Sequence, residues 1–265
     1  MKHNKIAFEA EFMITDKNGK EVSEIEWVST NRRIIEILTS NKWKKYGEYV
    51  LELDSCQVEI NNSQAFSSHS EAMDEILHSY ENLDEVVKKE FWLMIWKKST
   101  PSEGYQWVTT SWIPRYETIS EVLQNSHVRA STNITGIHAH IDTNPQTHLE
   151  ISQKVREMFM WNDFTTLWIS EERLTHMQSV VQVLQEVWIF SSMAAHHDIT
   201  PVSSNTKFSS LIDVDWNPLD SYSLVVLKKP SGKIFTTELR TPDCYGDIDF
   251  ISKQIRKAIE IITQS

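Results

Sequence analysis

Between Lys5 and Ile14 the chain reads KIAFEAEFMI, with apolar and acidic residues in alternation. On a β-strand this period puts Phe8, Ala10 and Phe12 on one face and Glu9 with Glu11 on the other. The first face needs an apolar layer to bury it. The second sets two carboxylates side by side, an arrangement that no apolar layer can cover. Whatever the chain folds into must therefore contain a sheet with one core face and one acidic face.

The pattern recurs along the sequence. Tyr49–Leu53 and Gln57–Ile60 read as one interrupted strand or two short ones, bringing Glu52 and Glu59. NITGIHAHID sets His138 and His140 against Ile137, Ala139 and Ile141. From Ser221, the runs SYSLVVLKK and KIFTTELR around Pro230-Ser231-Gly232 predict a β-hairpin that carries Glu238 and Arg240. One polar-faced strand is ordinary in an antiparallel sheet. Four such segments with few basic residues among them are not.

Clustered carboxylates repel and raise one another's pKa until a cation neutralises them. Oxygen-rich ligation with an occasional imidazole suits Mg²⁺ or Mn²⁺. The two cysteines, Cys56 and Cys244, are too far apart in sequence to suggest a thiolate site. Arg240 either clamps a transferring phosphoryl group or pairs with Glu238 or Asp243, and spacing alone leaves both open. Glycine-rich phosphate cradles and a nucleophile elbow are absent from the sequence.

The remaining pattern is helical. Helices are predicted from Glu24 to Leu38 and, after a cap near Ser68, from Glu71 to Trp96, in one piece or broken near Asn82. Others are predicted from Pro114 to Val128, Gln146 to Phe159, Thr165 to Ala195 and Ile248 to Ile262. Tryptophans set among aliphatic residues, as in FWLMIW from Phe91 to Trp96, are expected to pack in the core. Strands and helices mix without a βαβ rhythm, which predicts an α+β fold with a largely antiparallel sheet. No linker or repeat divides the chain, so residues 1–265 are expected to form a single domain.

A net charge of −11 argues against a duplex nucleic-acid partner, since phosphate-backbone affinity rests on Lys and Arg. No stretch approaches the roughly 20 apolar residues of a membrane span. The opening MKHNKIAFEAEF lacks the apolar run of a signal peptide, so a cytoplasmic location is expected.

Taken in order, these segments resemble the glutamate–cysteine ligase-like carboxylate–amine ligases, whose fold is similar to the catalytic part of glutamine synthetase. IAFEAEF resembles the family's first strand and LELDSCQVEIN its second acidic strand. PRYETI resembles an Arg-Tyr helix start, TGIHAHID the Gly-x-His-x-His strand, and TTELRTPD the closing Glu-x-Arg-x-x-Asp element. The resemblance runs from Ile6 to about Ile251.

It implies a funnel of antiparallel strands with helices packed on its outer face. The implied reaction uses ATP to activate a small-molecule carboxylate as an acyl phosphate, which an amine converts into an amide or peptide-like bond. Carried over by position, Glu9, Glu11, Glu59, His138 and Glu238 would be Mg²⁺ (or Mn²⁺) ligands, with Glu52 an additional candidate. Arg240 would contact the phosphates and, with Glu59, act in catalysis. His140 would bind substrate or nucleotide, Lys207 would lie on the nucleotide side, and Arg115 and Tyr116 on the substrate side. The tryptophan-rich helices offer an interface for a homo-oligomer.

One element of the family pattern is not evident, a Ser/Arg-rich loop before the last hairpin. No arginine stands between Arg173 and Arg240, and His196-His197-Asp198 is either a partial substitute or, as such runs more often are, the solvent-exposed end of a helix. Two alternatives therefore stay open: a phosphoryl or nucleotidyl transferase on the same fold, and a catalytically degenerate metabolite-binding relative.

Overall fold

Strand β1, Ile6–Thr15, is the axis of the molecule: Ile6, Phe8, Ala10 and Phe12 have no exposed surface, and the residues between them are only half-buried. The computed structural model of the chain describes residues 5–40, 43–100, 135–144, 146–148, 150–151, 154, 225–228, 236–240 and 242–263. β1 pairs antiparallel with β5 (Gln57–Asn61) on one side and β7 (Ile137–Asp142) on the other. Beyond them lie β4 (Glu48–Leu51), β9 (Thr236–Leu239) and β8 (Val225–Lys228), giving the order β4-β5-β1-β7-β9-β8. Every pairing in this sheet is antiparallel, including the expected hairpin of β8 and β9.

Among the described residues, three long helices cover the apolar face. These are α1 (Thr30–Leu38), α2 (His69–Phe91) and α3 (Ile248–Thr263). On α2 the residues Ala72, Ile76, Tyr80, Leu83 and Val87 recur at helical spacing and are buried, and on α3 Ile251, Ile255, Ala258 and Ile262 repeat the pattern. They meet Phe8, Phe12, Val58, Ile60, Ile137, Ala139 and Leu239 in one core. The fold is therefore α+β, with one sheet face given to helices and the other left for polar side chains.

Asn62, just past β5, ties the sheet to α2. Its Oδ1 accepts from the Phe8 N–H at 2.7 Å, and its Nδ2 donates to the Ala72 carbonyl and to Glu75 Oε2, both at 2.9 Å. Asn62→Ala leaves the buried Phe8 donor without this acceptor. It is expected to lower stability by about 1–3 kcal/mol, read from denaturant titration.

Three sequence expectations are corrected. Residues 24–29 form a small hairpin, β2 (Glu24–Ile25) and β3 (Val28–Ser29), and the helix begins only at Thr30. The cause is backbone conformation: Glu26 (φ 49°) and Trp27 (φ 66°) are both left-handed, which makes a two-residue turn and cannot continue a helix. Second, α2 is unbroken at Asn82 and stops at Phe91, before the expected end at Trp96. Trp92 caps it at φ 58°, and Met94–Ile95 then form β6 against Ile14 and Thr15 of β1.

Third, core packing does not hold for every tryptophan, since Trp27 is 95% and Trp92 87% exposed. Trp92 occupies a position that favours glycine and buries little. Trp92→Gly should therefore raise stability by about 1 kcal/mol, seen as a higher urea midpoint at unchanged slope.

The expected helices at 114–128 and 165–195 lie outside the described residues. Those described between Gln146 and Lys154 are helical, with His148 and Ile151 buried. Among the described residues no helix is long and apolar enough to cross a membrane.

Candidate metal centre

Because the side-chain period of a strand is two, burying Phe8, Ala10 and Phe12 turns Glu9 and Glu11 to the opposite face. Antiparallel register then sets their neighbours. Glu11 stands opposite Glu59, Glu9 opposite His138 on one side and Asn61 on the other, and His140 opposite Glu238. Four strands that are distant in sequence thus deliver their polar side chains to one patch.

The patch contains two sets of converging ligand atoms. Glu11, Glu52 and Glu59 each bring an oxygen within 4.8 Å of the others, and Glu9, His140 and Glu238 do the same. His138 stands between the sets. Its Nδ1 lies 3.2 Å from Glu9 Oε2 and 3.3 Å from Glu238 Oε1, and its Nε2 lies 3.7 Å from Glu11 Oε1. His140 Nε2 is 3.0 Å from Glu9 Oε1 and 3.9 Å from Glu238 Oε1. Arg240 Nε donates to Glu238 Oε1 at 2.8 Å, one of the ion pairs open to it from spacing.

Burial makes these charges strong. Glu238 is fully buried, and Glu59 and His138 are each 8% exposed. Burial, and then the charges of Glu52, Glu9 and Glu11, hold the Glu59 carboxyl well above its ordinary range. Glu11 is also raised, by burial and by Glu52, although His138 and the Gly136 N–H, which donates to Glu11 Oε2 at 2.9 Å, pull the other way. Burial works to raise Glu9 as well, but the charge of His140 and hydrogen bonds from His138 and His140 outweigh it and hold Glu9 well below its ordinary range. Burial opposes the charge on His138, yet the Glu11 charge and the Glu9 hydrogen bond prevail and raise its pKa.

The two sets therefore differ. Around Glu9 and Glu238 stand two imidazoles and the Arg240 guanidinium. Around Glu59 three carboxyls crowd together, and their crowding and burial raise the Glu59 and Glu11 carboxyls. A hard divalent cation suits that second set, because it replaces protons with a charge the oxygens can share. The donor chemistry, oxygen-rich with imidazole, fits Mg²⁺ or Mn²⁺ at either set.

Sequence reasoning named every ionisable member of the patch but divided them differently. It gave His140 to substrate or nucleotide, whereas the geometry brings it as near Glu9 as His138. It treated Glu52 as secondary, although Glu52 stands with Glu11 and Glu59. It passed over Asn61, whose Nδ2 donates to Glu59 Oε1 at 2.8 Å; the period-two rule, extended two residues beyond Glu59, would have found it. Arg115, Tyr116 and Lys207 lie outside the described residues.

No family model matches the chain, and no curated protein is similar to it in sequence. Solved structures do match. A glutamate–cysteine ligase from Francisella tularensis, in complex with AMP, superposes with a TM-score of 0.55 at 12% identity, covering 92% of this chain and 62% of that one. The chain shares its fold with that protein.

Two further structures are similar to it. A bifunctional glutathione synthetase from Pasteurella multocida gives a TM-score of 0.48 at 15% identity, over 98% of this chain and 39% of that one. A glutamine synthetase from Plasmodium falciparum gives 0.41 at 14% identity, over 99% and 52%. The chain thus spans between 39% and 62% of the length of these proteins. In this fold the acidic patch lies on the sheet face opposite α1, α2 and α3.

Proposed function

We propose that the chain is an ATP-dependent ligase that joins the carboxylate of one small molecule to the amine of another through an acyl phosphate, on a sheet curved as a funnel. The observation that carries this reading is the pair of ligand sets, Glu11-Glu52-Glu59 and Glu9-His140-Glu238, adjacent on one sheet face of a fold shared with a glutamate–cysteine ligase. His138, in contact with Glu9, Glu11 and Glu238, is the ligand candidate common to both.

In this reading the two sets hold Mg²⁺ or Mn²⁺, which when bound supply neutralising charge to the phosphates of ATP. The residues do the rest. Glu238 orients Arg240, whose guanidinium keeps its charge and is left to face the transferring phosphoryl group. Glu59 supplies a carboxylate close to the reacting groups once its proton is displaced. By the resemblance, Arg115 and Tyr116 would bind the acid and Lys207 the nucleotide, and His140 would serve nucleotide or substrate beside its place in the second ligand set.

The test is direct. Purified protein with Mg²⁺, ATP and pooled carboxylic acids and amino acids should release ADP and phosphate and form a condensation product visible by mass. Glu59→Ala should abolish that turnover and weaken Mg²⁺-dependent nucleotide binding at least tenfold, about 1.4 kcal/mol. No turnover with any acid–amine pair, together with unchanged nucleotide binding in Glu59→Ala, sinks the proposal.

A second reading is favoured by one sequence fact, the absence of arginine between Arg173 and Arg240. A relative that keeps the fold but binds a metabolite without ligation would bind Mg²⁺-ATP and never consume it. Transfer of a phosphoryl or nucleotidyl group would instead leave that group covalently attached to an acceptor.

A further inference from the structure

Asn61 and Asn62 are adjacent in sequence and face opposite ways. Asn62 is spent on structure, with its amide bonded to Phe8, Ala72 and Glu75. Asn61 follows Glu59 by two residues, so it stands on the acidic face. In register it lies opposite Glu9 of β1 and Glu48 of β4. One amide is thus set beside Glu59 of one ligand set and across from Glu9 of the other.

Its two polar atoms are used unequally. Nδ2 donates to Glu59 Oε1 at 2.8 Å, while Oδ1 is buried with no hydrogen-bond partner. The reverse orientation would face a carbonyl oxygen with the Glu59 carboxylate, a repulsive contact whenever Glu59 is the anion that a cation requires. A buried carbonyl oxygen without a partner costs stability. An apolar residue of the same size would avoid that cost, so core packing does not account for an amide at this position.

We propose that Asn61 is a positioning residue of the metal centre, an outer-shell donor that fixes the Glu59 carboxylate toward Glu11 and Glu52. The inference rests on the cation chemistry proposed above. A glutamate side chain has three rotatable bonds, and without an anchor on one oxygen its carboxylate would leave this crowd of like charges. The Asn61 N–H holds Oε1, and a Glu59 oxygen stays within 4.8 Å of ligand atoms of Glu11 and Glu52. Outer-shell donors of this kind are typically worth about 10–100-fold in metal affinity.

The experiment titrates Mn²⁺ alone, without nucleotide, into the wild type, Asn61→Ala and Asn61→Leu, following free Mn²⁺ by electron paramagnetic resonance and binding heat by calorimetry. Asn61→Leu keeps the branched shape and the number of heavy atoms and removes the buried unpaired oxygen, so it tests the amide's role without the cavity of the alanine variant. Glu59→Gln and Glu238→Gln mark which binding step belongs to which ligand set. The expected result is a roughly 10–100-fold weakening confined to the step that Glu59→Gln also weakens. The Glu238-dependent step should stay within a few-fold, and metal-free Asn61→Leu should melt close to the wild type. Wild-type affinity at both steps, or equal weakening of both, overturns the role given to Asn61. Wild-type protein that binds no Mn²⁺ overturns the cation reading itself, a result visible before any Asn61 variant is made.

Discussion

Glu238→Ala is expected to destabilise the metal-free protein by about 3 kcal/mol and to abolish divalent-cation binding at the set formed with Glu9 and His140. Glu238 is fully buried, with Arg240 Nε at 2.8 Å, His138 Nδ1 at 3.3 Å and His140 Nε2 at 3.9 Å. Three cationic or potentially cationic groups converge on one carboxylate. Removing it takes from the Arg240 guanidinium the carboxylate at 2.8 Å and from His138 the one at 3.3 Å, while Glu9 remains beside both imidazoles. Breaking a buried pair costs roughly 3–5 kcal/mol; the low end applies because the Arg240 side chain retains 19% exposure.

Glu238→Gln separates the two effects. The amide keeps the shape and one acceptor oxygen for Arg240, so most of the stability should survive. It cannot supply the negative charge a divalent ion needs, so Mn²⁺ affinity at that set should still fall at least tenfold, about 1.4 kcal/mol. Denaturant titration and calorimetry read the two quantities independently. If Glu238→Gln binds Mn²⁺ like the wild type, Glu238 is only the partner of Arg240 and not a metal ligand.

How far the sequence discloses this architecture depends on the kind of information each element carries. β1 was legible because Phe8 to Phe12 obey the strand period without exception. Once its polar face was fixed, Glu59, His138 and Glu238 followed from the same period on other strands. Assigning them to one patch needed long-range pairing, for which composition offers no rule; there the resemblance to the carboxylate–amine ligases supplied the order. The turn at Glu26-Trp27 was not legible, because neither residue is the glycine, asparagine or aspartate that ordinarily marks a left-handed position. The helix stop at Trp92 was hidden for the same reason. In the site, His138 and His140 are indistinguishable by spacing, and their different contacts with Glu9, Glu11 and Glu238 arise only from register.

The pH dependence of stability should reveal the cation. In the unfolded chain Glu59 and Glu11 titrate near their ordinary value of 4.5, whereas in the folded metal-free protein both are raised, Glu59 well above it. Between those values the folded state binds more protons than the unfolded state, so stability falls as pH rises. His138, raised above 6.5 in the folded state, adds to the trend: its contribution is fully present below that value and is lost as pH rises through the folded pKa. Glu9 acts oppositely, because its lowered pKa contributes stability above 4.5 that is lost only as the solution becomes strongly acidic. In chelator the melting temperature should therefore decline from about pH 5 to about pH 8. A divalent cation held by this set, as proposed above, would displace protons from Glu59 and Glu11 and screen their repulsion, so Mg²⁺ or Mn²⁺ should stabilise little at the acidic end and most at the alkaline end. At about a hundred times its Kd the gain there is about 2.7 kcal/mol. Thermal melts across that range, with chelator and with Mn²⁺, measure both curves. A decline unaffected by Mn²⁺ would mean that the carboxyls around Glu59 are kept neutral by protons alone.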